Sequence, residues 1–171
     1  CPQLVLAKPD FRLYRTCSQA FMEICSRYAP VMEKYSIDEC FLDMTGTGRM
    51  YPDPLSVAHT IREAIREELG FTVNIGVSRN KLLAKMASDF EKPDRVHTLF
   101  PQEIPQKLWP LSVGELFSVG SATARKLEGM GINTIGQLAH TPVVRLQAIL
   151  GKKAGQQLHA YANGLDDTPV L

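Results

Sequence analysis

Two adjacent carboxylates constrain this chain most, because they interrupt the apolar run Tyr35-Ser36-Ile37-Asp38-Glu39-Cys40-Phe41-Leu42-Asp43. Successive residues of a strand face opposite sides of its sheet, so Asp38 and Glu39 cannot both point into a core. We therefore predict two short strands, over residues 32–37 and 40–44, that meet at these two acids. At least one carboxylate is then available for chemistry.

The remaining pattern before residue 100 mixes helices with strands. Apolar residues recur at threes and fours over 10–29, 55–69 and 80–90, which predicts three amphipathic helices, the second ended by Gly70. Strict alternation over 71–78 predicts a strand, and a shorter one follows at 96–99. This order predicts an α+β fold with an antiparallel or mixed sheet and helices on one face.

The composition changes near Phe100-Pro101, and no strand pattern is found beyond it. Thr134 and Gln137 have the spacing of a capping box, and Thr141-Pro142 has the form of a cap before a proline in the first helical position. We therefore predict a first domain over 1–104 and a small all-helical domain over 105–171.

Length and composition exclude several classes of protein. The 171 residues are enough for one core or two small domains, and no apolar run approaches the length of a membrane span. The four cysteines lack a C-x-x-C pair and the four histidines lack helical metal-ligand spacing, so we expect neither zinc nor structural disulfides. Cysteines within an apolar helical stripe favour a reducing, cytoplasmic compartment.

Charge is unevenly distributed although the net charge is only +1. Residues 1–78 carry 8 Lys/Arg and 10 Asp/Glu, whereas residues 79–171 carry 11 and 8. The second part is therefore the better candidate for contact with phosphates, although a solvated surface of mixed charge explains the same numbers.

Adjacent carboxylates at a hairpin suit a divalent cation, because Mg²⁺ prefers hard oxygen ligands and often takes only one or two from the protein. Paired ions of this kind clamp the attacking and leaving oxygens in phosphoryl transfer. The alternative is that Asp38 and Glu39 are turn residues that form surface salt bridges.

Several ordered motifs resemble the Y-family DNA polymerases, which copy damaged templates. They are the run 35–43, Asn74-Ile75-Gly76-Val77-Ser78, the segment 80–88, Lys92-Pro93, and Asn163-Gly164-Leu165-Asp166. The resemblance implies an incomplete ferredoxin-like palm followed by a helical thumb. It implies two Mg²⁺ ions, primer-template DNA and a dNTP as ligands, and a sliding clamp bound through other parts of the parent protein.

Site residues follow from the same resemblance. Asp38 and Glu39 match metal-binding, catalytic carboxylates of the palm, and Lys92 matches the lysine that contacts the triphosphate of the incoming nucleotide. A lysine is a compact point charge suited to phosphate. The first metal-binding aspartate, the sugar-screening aromatic residue, the finger residues and the little finger have no match here. We therefore expect a fragment that is inactive alone and self-associates through exposed strand edges and apolar surface.

A second motif lies around Ser118-Val119-Gly120-Ser121, which resembles a helix-hairpin-helix turn with Arg125 and Lys126 on the following helix. Backbone amides at such a helix start can face a DNA phosphate without reading sequence. The usual form is Gly-x-Gly, and Ser118 in place of the first glycine disfavours a bound monovalent cation more than a phosphate contact. Lys152-Lys153 beside Gly151 is either a second phosphate contact or a solvated loop.

Two other functions remain open from the residues themselves. The helical part can be a sequence-independent DNA-binding module with the α+β part as its scaffold. A nucleotide cyclase also sets carboxylates on a palm-like hairpin, although the helical C-terminal part disfavours it, since a cyclase has no need to grip a duplex.

Overall fold

The computed structural model describes residues 1–171, and its contacts divide the chain into two compact units. We call residues 1–72 with 170–171 the hairpin unit, and residues 73–169 the helical unit. This division falls earlier in the chain than the predicted domain boundary at residue 104. The difference arises because the third helix and the last two strands pack with the helices that follow them.

The hairpin unit contains two helices and one antiparallel strand pair. Helix α1 is Phe11–Ser26, strand β1 is Val31–Lys34, strand β2 is Cys40–Asp43 and helix α2 is Pro54–Leu69. Both predicted helices are confirmed, and Gly70 ends α2 with φ +72°. Helix α1 packs against α2 and both strands, and its apolar side joins that of α2 in a small core of Phe21, Met22, Ile24, Cys25, Val57, Ala58, Ile61 and Ile65.

The helical unit begins with a parallel strand pair and one helix. Strand β3 is Ile75–Val77, helix α3 is Lys81–Ser88 and strand β4 is Val96–Thr98. A Cβ atom on Gly76 would overlap the carbonyl oxygen of Ala84 and lie 2.6 Å from the amide nitrogen of Ser88. The absence of a side chain therefore lets β3 approach the backbone of α3.

Five further helices complete the helical unit. They are α4 (Ile104–Lys107), α5 (Ser121–Glu128), α6 (Ile135–His140), α7 (Val143–Leu150) and α8 (Lys152–Ala162), with 3-10 turns at Pro101–Glu103 and Val113–Glu115. One apolar core runs from α3 to α8, and its most buried members include Leu83, Leu99, Leu108, Val113, Leu127, Ile135, Leu138 and Leu146. The predicted all-helical character of residues beyond 105 is confirmed, apart from an isolated bridge between Ser112 and Thr134.

The α+β class is confirmed, with the strands present as one antiparallel pair and one parallel pair. The strand predicted over 71–78 is wrong at its start, since only residues 75–77 pair with a neighbour. Residues 71–74 have the right alternation, but β4 is only three residues long and offers them no partner. Alternation shows a capacity to pair, and pairing requires a second strand.

The two cap predictions had different outcomes. Thr134 and Gln137 form the predicted capping box, with Gln137 N donating to Thr134 Oγ1 at 3.1 Å. The cap predicted at Thr141 is wrong, because its hydroxyl donates to the carbonyl of Gln137 at 2.7 Å and so closes α6. Pro142 precedes α7, which starts at Val143 without a side-chain cap.

No helix in the structure has both the length and the apolar character needed to cross a bilayer.

Candidate active-site carboxylates and nucleic-acid interface

The two adjacent acids lie in the turn between β1 and β2. The amides of Tyr35 and Ser36 both donate to the carbonyl of Glu39, at 3.0 and 3.1 Å, so residues 35–39 form a compact loop. Because of this loop, Asp38 belongs to neither strand. Asp38 is exposed to solvent, while Glu39 is half-buried. The first strand was predicted to run too far, since β1 ends at Lys34, and β2 begins at Cys40, directly after the acids. Neither acid therefore lies within a strand, so strand alternation does not apply to them.

Hydrogen bonding fixes one of the two carboxylates locally. Ser36 Oγ donates to Asp38 Oδ1 at 2.8 Å, and the Asp38 amide faces the same hydroxyl at 3.4 Å. One Asp38 oxygen is thereby oriented within the turn, and the residue as a whole remains accessible to solvent. An anionic oxygen that is both oriented and accessible can serve as a metal ligand.

The donor set fits Mg²⁺ in part. Asp38 and Glu39 supply hard carboxylate oxygens from neighbouring residues, and Mg²⁺ is often bound through one or two carboxylates together with water and substrate phosphates. No group of three or more His, Cys, Asp or Glu residues with metal-binding geometry occurs in the structure. These two acids can therefore supply only a portion of the ligands that such an ion needs.

Asp43, the third acid of the run, has a local structural role. Its Oδ1 accepts a hydrogen bond from the Thr45 amide at 2.8 Å, where the chain leaves β2. Hydrogen bonds from the Thr45 side chain and backbone lower the pKa of Asp43. Asp43 is the last residue of β2, so the length of that strand separates it from the Asp38–Glu39 turn.

Lys92 lies in the loop after α3 and is held by an ion pair. Its Nζ is 2.8 Å from Asp89 Oδ1, and its side chain is 59% exposed. The other oxygen of Asp89 is 2.9 Å from Lys85 Nζ, and the Lys85 side chain is only 17% exposed. Sequence reasoning missed Asp89 and Lys85, although their spacing of three and four residues from their partners is the usual signal of a helical ion pair.

The turn at Ser118–Gly120 leads directly into α5. Ser118 has φ +71°, in the left-handed region where the usual motif has glycine, and the Val119 amide donates to the carbonyl of Leu116 at 2.9 Å. Val119 is buried, so this residue can meet an outside ligand only through its backbone. The helix before the turn is a 3-10 turn, Val113–Glu115, rather than an α-helix.

Gly120 is needed for neither backbone conformation nor internal packing. It has φ −79° and ψ 166°, which any residue can adopt, and nothing lies within 4 Å of a Cβ built there. Gly120 has no side chain that could cap α5, and no acidic side chain lies in the first turn of this helix. Gly120 is the N-cap residue of α5, a position where glycine is common, and the space beside its Cα is open.

The neighbouring charges are open to solvent. Ser121, Arg125 and Lys126 are all exposed on α5. At the second glycine turn, Gly151 has φ +87° between α7 and α8, and Lys152 and Lys153 are exposed. Gly155 has a different purpose, because its Cβ would lie 2.5 Å from Gln147 N, so it allows α7 and α8 to pack closely.

The predicted site residues fall into two groups. Asp38 and Glu39 share one turn in the hairpin unit, while Lys92 and the residues 118–126 belong to the helical unit. Within the helical unit, the side chain of Lys92 contacts Asp89 rather than any residue of the predicted DNA-binding turn.

Comparison with known proteins places this arrangement in a recognised class. Residues 1–89 match the model of the impB/mucB/samB family, and residues 114–166 match the thumb domain of DNA polymerase iota. The chain belongs to the impB/mucB/samB family, that is, to the Y-family DNA polymerases. Asp38 and Glu39 lie within the first match and residues 118–126 within the second, whereas Lys92 lies between the two matched ranges.

Individual relatives agree with this family. The chain is 47% identical over 170 residues to DNA polymerase IV of Clostridium acetobutylicum and 42% identical to DNA polymerase IV 1 of Bacillus subtilis. These alignments cover 99% of this chain and 42% and 41% of those proteins. The chain therefore spans about 42% of the length of the curated relatives it matches.

Solved structures give the same architecture. DinB from Sulfolobus solfataricus superposes with a TM-score of 0.88 at 29% identity, covering 99% of this chain and 50% of that one. An insertion ternary complex of Dbh DNA polymerase also gives 0.88 at 29% identity, covering 99% and 49%. The fold prediction of a palm portion with a helical thumb is confirmed by these matches.

Proposed function

We propose that this chain is the palm and thumb portion of a translesion DNA polymerase, which extends a primer across damaged template by adding dNTPs. The observation that carries the proposal is the Asp38–Glu39 pair on an exposed hairpin turn, inside the segment that matches the family model. Relatives that share this segment are DNA polymerases, and one solved neighbour is an insertion ternary complex. We take residues 1–104 as partial palm and 105–171 as thumb.

Asp38 and Glu39 are proposed to hold magnesium with the help of substrate oxygens. Two bound Mg²⁺ ions would supply charge stabilisation for the attacking 3′-hydroxyl and the leaving pyrophosphate. The chain contributes accessible carboxylate oxygens, one of them oriented by Ser36. Because positioning and electrostatics dominate such reactions, the loss of either acid should affect rate far more than folding.

Lys92 is proposed to contact the triphosphate, and the turn Ser118–Ser121 is proposed to contact the DNA backbone. The open space above Gly120 supports the second assignment, since an amide can approach a phosphate there without a side chain in between. Arg125 and Lys126 are proposed to add unspecific attraction to the same strand. A cytoplasmic setting accords with four free cysteines, and sliding-clamp binding is assigned to parts of the parent outside this chain.

A metal-binding experiment tests the carboxylates without requiring activity. We expect Mn²⁺ to broaden the amide NMR signals of residues 35–40, because a paramagnetic ion relaxes nearby nuclei. Asp38→Asn and Glu39→Gln should abolish the broadening, whereas Glu67→Gln, which removes an exposed charge from α2, should not. Equal broadening in all four proteins would reject the metal site.

A DNA-binding experiment tests the turn. Gly120→Ala should weaken binding to duplex DNA by roughly 10-fold, as expected for the loss of a charge-assisted hydrogen bond. Gly48→Ala is the matched control, because its Cβ also meets open space and its φ is not positive. Unchanged affinity in Gly120→Ala, with folding intact, would remove this contact from the proposal.

A sequence-independent DNA-binding module is the second candidate, favoured by the separate core of the helical unit. It predicts that the logarithm of the affinity falls with the logarithm of salt at a slope of about −0.9 per phosphate neutralised. Primer extension by the purified chain separates the two candidates. We expect little or none, because the chain spans only part of its relatives; vigorous extension would show that it is itself a complete catalyst.

A further inference from the structure

An ionic bridge of three residues surrounds the proposed nucleotide-binding lysine. The carboxylate of Asp89 spans two ammonium groups, with Oδ1 at 2.8 Å from Lys92 and Oδ2 at 2.9 Å from Lys85. Asp89 follows the last residue of α3, and its amide donates to the carbonyl of Met86 at 3.2 Å. The carboxylate is therefore attached to a helix end rather than to a free loop.

The two lysines have different surroundings, and this difference suggests different roles. Lys85 projects from within α3 and its side chain is 17% exposed, whereas the Lys92 side chain is 59% exposed. The more buried lysine is suited to hold Asp89, and the more exposed one is available to an outside anion. Two cations and one anion leave the bridge with a single positive charge, which still attracts phosphate.

The segment between Asp89 and Lys92 is anchored on both sides. The Phe90 amide donates to Ala87 O at 3.3 Å, and the Phe90 ring packs against the core of the helical unit. The carbonyl of Glu91 contacts His97 Nε2 at 3.3 Å. These contacts fix the backbone but not the four-carbon stem of Lys92, so its ammonium depends on Asp89 for its place.

We propose that Asp89 is a positioning residue for nucleotide binding: its carboxylate, braced by Lys85, holds the Lys92 ammonium where it meets the triphosphate. This inference rests on the proposed role of Lys92. An ammonium has three N–H donors, so one bond to Asp89 leaves two for phosphate oxygens. Burial raises the pKa of Asp89, but hydrogen bonds from Lys92 and Lys85 outweigh it and keep the pKa below its usual value, so the carboxylate is ionised at neutral pH.

The proposal is testable because removal of the Asp89 charge can change the affinity for triphosphate in either direction, depending on the role of Asp89. An anionic Asp89 repels the triphosphate, so removal of its charge should tighten binding if the residue were only a nearby charge. If Asp89 instead positions Lys92, its removal should weaken binding.

The test uses the whole 171-residue chain, with inorganic tripolyphosphate and dATP as metal-free probes followed by the NMR signals of the lysine side chains. We expect Asp89→Asn to weaken binding of both probes by about 2- to 5-fold, the range of an exposed ion pair. Asp89→Glu should restore part of the affinity. Glu91→Gln is the matched control, since it removes an equal charge two residues away but contacts Arg95 instead of Lys92, and should leave binding unchanged or slightly tighter.

A double variant separates positioning from a general structural effect. In the Lys92→Ala background, Asp89→Asn should cause no further loss, because its effect acts through Lys92. Affinity for Asp89→Asn equal to or tighter than that of the parent, while Lys92→Ala weakens binding, would overturn the positioning role and leave Lys92 in place. If Lys92→Ala itself has no effect, the proposed nucleotide contact fails and the inference fails with it.

Discussion

The hairpin unit and the helical unit differ in how completely each buries its own apolar side chains. Ten of the twelve largest fully buried side chains belong to the helical unit, and only Ile24 and Ile65 belong to the hairpin unit. Conversely, twelve of the fifteen exposed large hydrophobic residues belong to the hairpin unit. The proposed catalytic turn thus stands on the less completely packed part of the molecule.

This contrast has a physical origin in the number of helices in each unit, since each unit holds one strand pair. The hairpin unit has a two-stranded ribbon that packs against α1, and it depends on this packing because a ribbon alone is only marginally stable in water. The helical unit packs its two strands against α3 and continues its core through to α8. We therefore expect local opening to begin in the hairpin unit, with the helical unit retaining its structure longer.

The largest expected effect is on Gly76, at the close approach of β3 to α3. Gly76→Ala should destabilise the helical unit by roughly 3 kcal/mol or more, because the added Cβ overlaps backbone atoms that cannot move aside. Urea unfolding measures this loss. Gly48→Ala in the hairpin unit should stay within about 0.5 kcal/mol, since its Cβ meets open space. Equal losses of unfolding free energy in Gly76→Ala and Gly48→Ala would contradict the difference in packing between the two units.

Self-association should be the next largest effect. The aromatic rings of Phe11 and Tyr14 lie edge to face on α1, and both residues are exposed. We expect a mass that rises with concentration in analytical ultracentrifugation, and a shift toward monomer in the double variant Phe11→Ser, Tyr14→Ser. Val144→Ser, an exposed apolar position of the helical unit, is the control and should behave like the parent. A monomeric parent with well-protected strand amides would contradict the prediction.

Acid should act on the helical unit through Glu103. Burial raises its pKa, but hydrogen bonds from Lys107, the Phe100 amide and Thr98 outweigh this and lower it. A depressed carboxyl pKa adds stability that is present above its unfolded pKa and is lost as the pH falls through the folded pKa. The free energy of unfolding of the parent should fall on going from pH 7 to acid. In Glu103→Gln this fall should be smaller, by at most about 1 kcal/mol. An unchanged pH dependence would show that Glu103 contributes nothing.

The smallest effect concerns thiol reactivity in the hairpin unit. A hydrogen bond with Cys40 raises the pKa of Cys25, and burial raises it further, so little thiolate forms. We expect iodoacetamide to modify the exposed Cys1 first and Cys25 last, as followed by peptide mass spectrometry. Early labelling of Cys25 would show that the hairpin unit opens more readily than its small core indicates.

Much of the local structure was predictable from sequence because its causes are local. The periodicity of α1 and α2, the stop at Gly70 and the capping box at Thr134 each depend on residues within a few positions of one another. The two adjacent acids and their break in strand alternation also identified the hairpin turn. The site assignments for Lys92 and Gly120 required the family resemblance, since a lysine before proline or a glycine between helices has several ordinary explanations.

The sequence by itself determined where α1 and α2 lie, where α6 begins and which short motifs carry charge, because capping, periodicity and turn chemistry act over one or two turns of chain. Only the tertiary structure decided that residues 71–74 remain unpaired, that Gly76 touches a helix backbone and that Gly120 faces open space. It also decided that the α3 segment joins the helical unit. Each of these depends on which distant segment arrives as a neighbour, and the local pattern does not specify that partner.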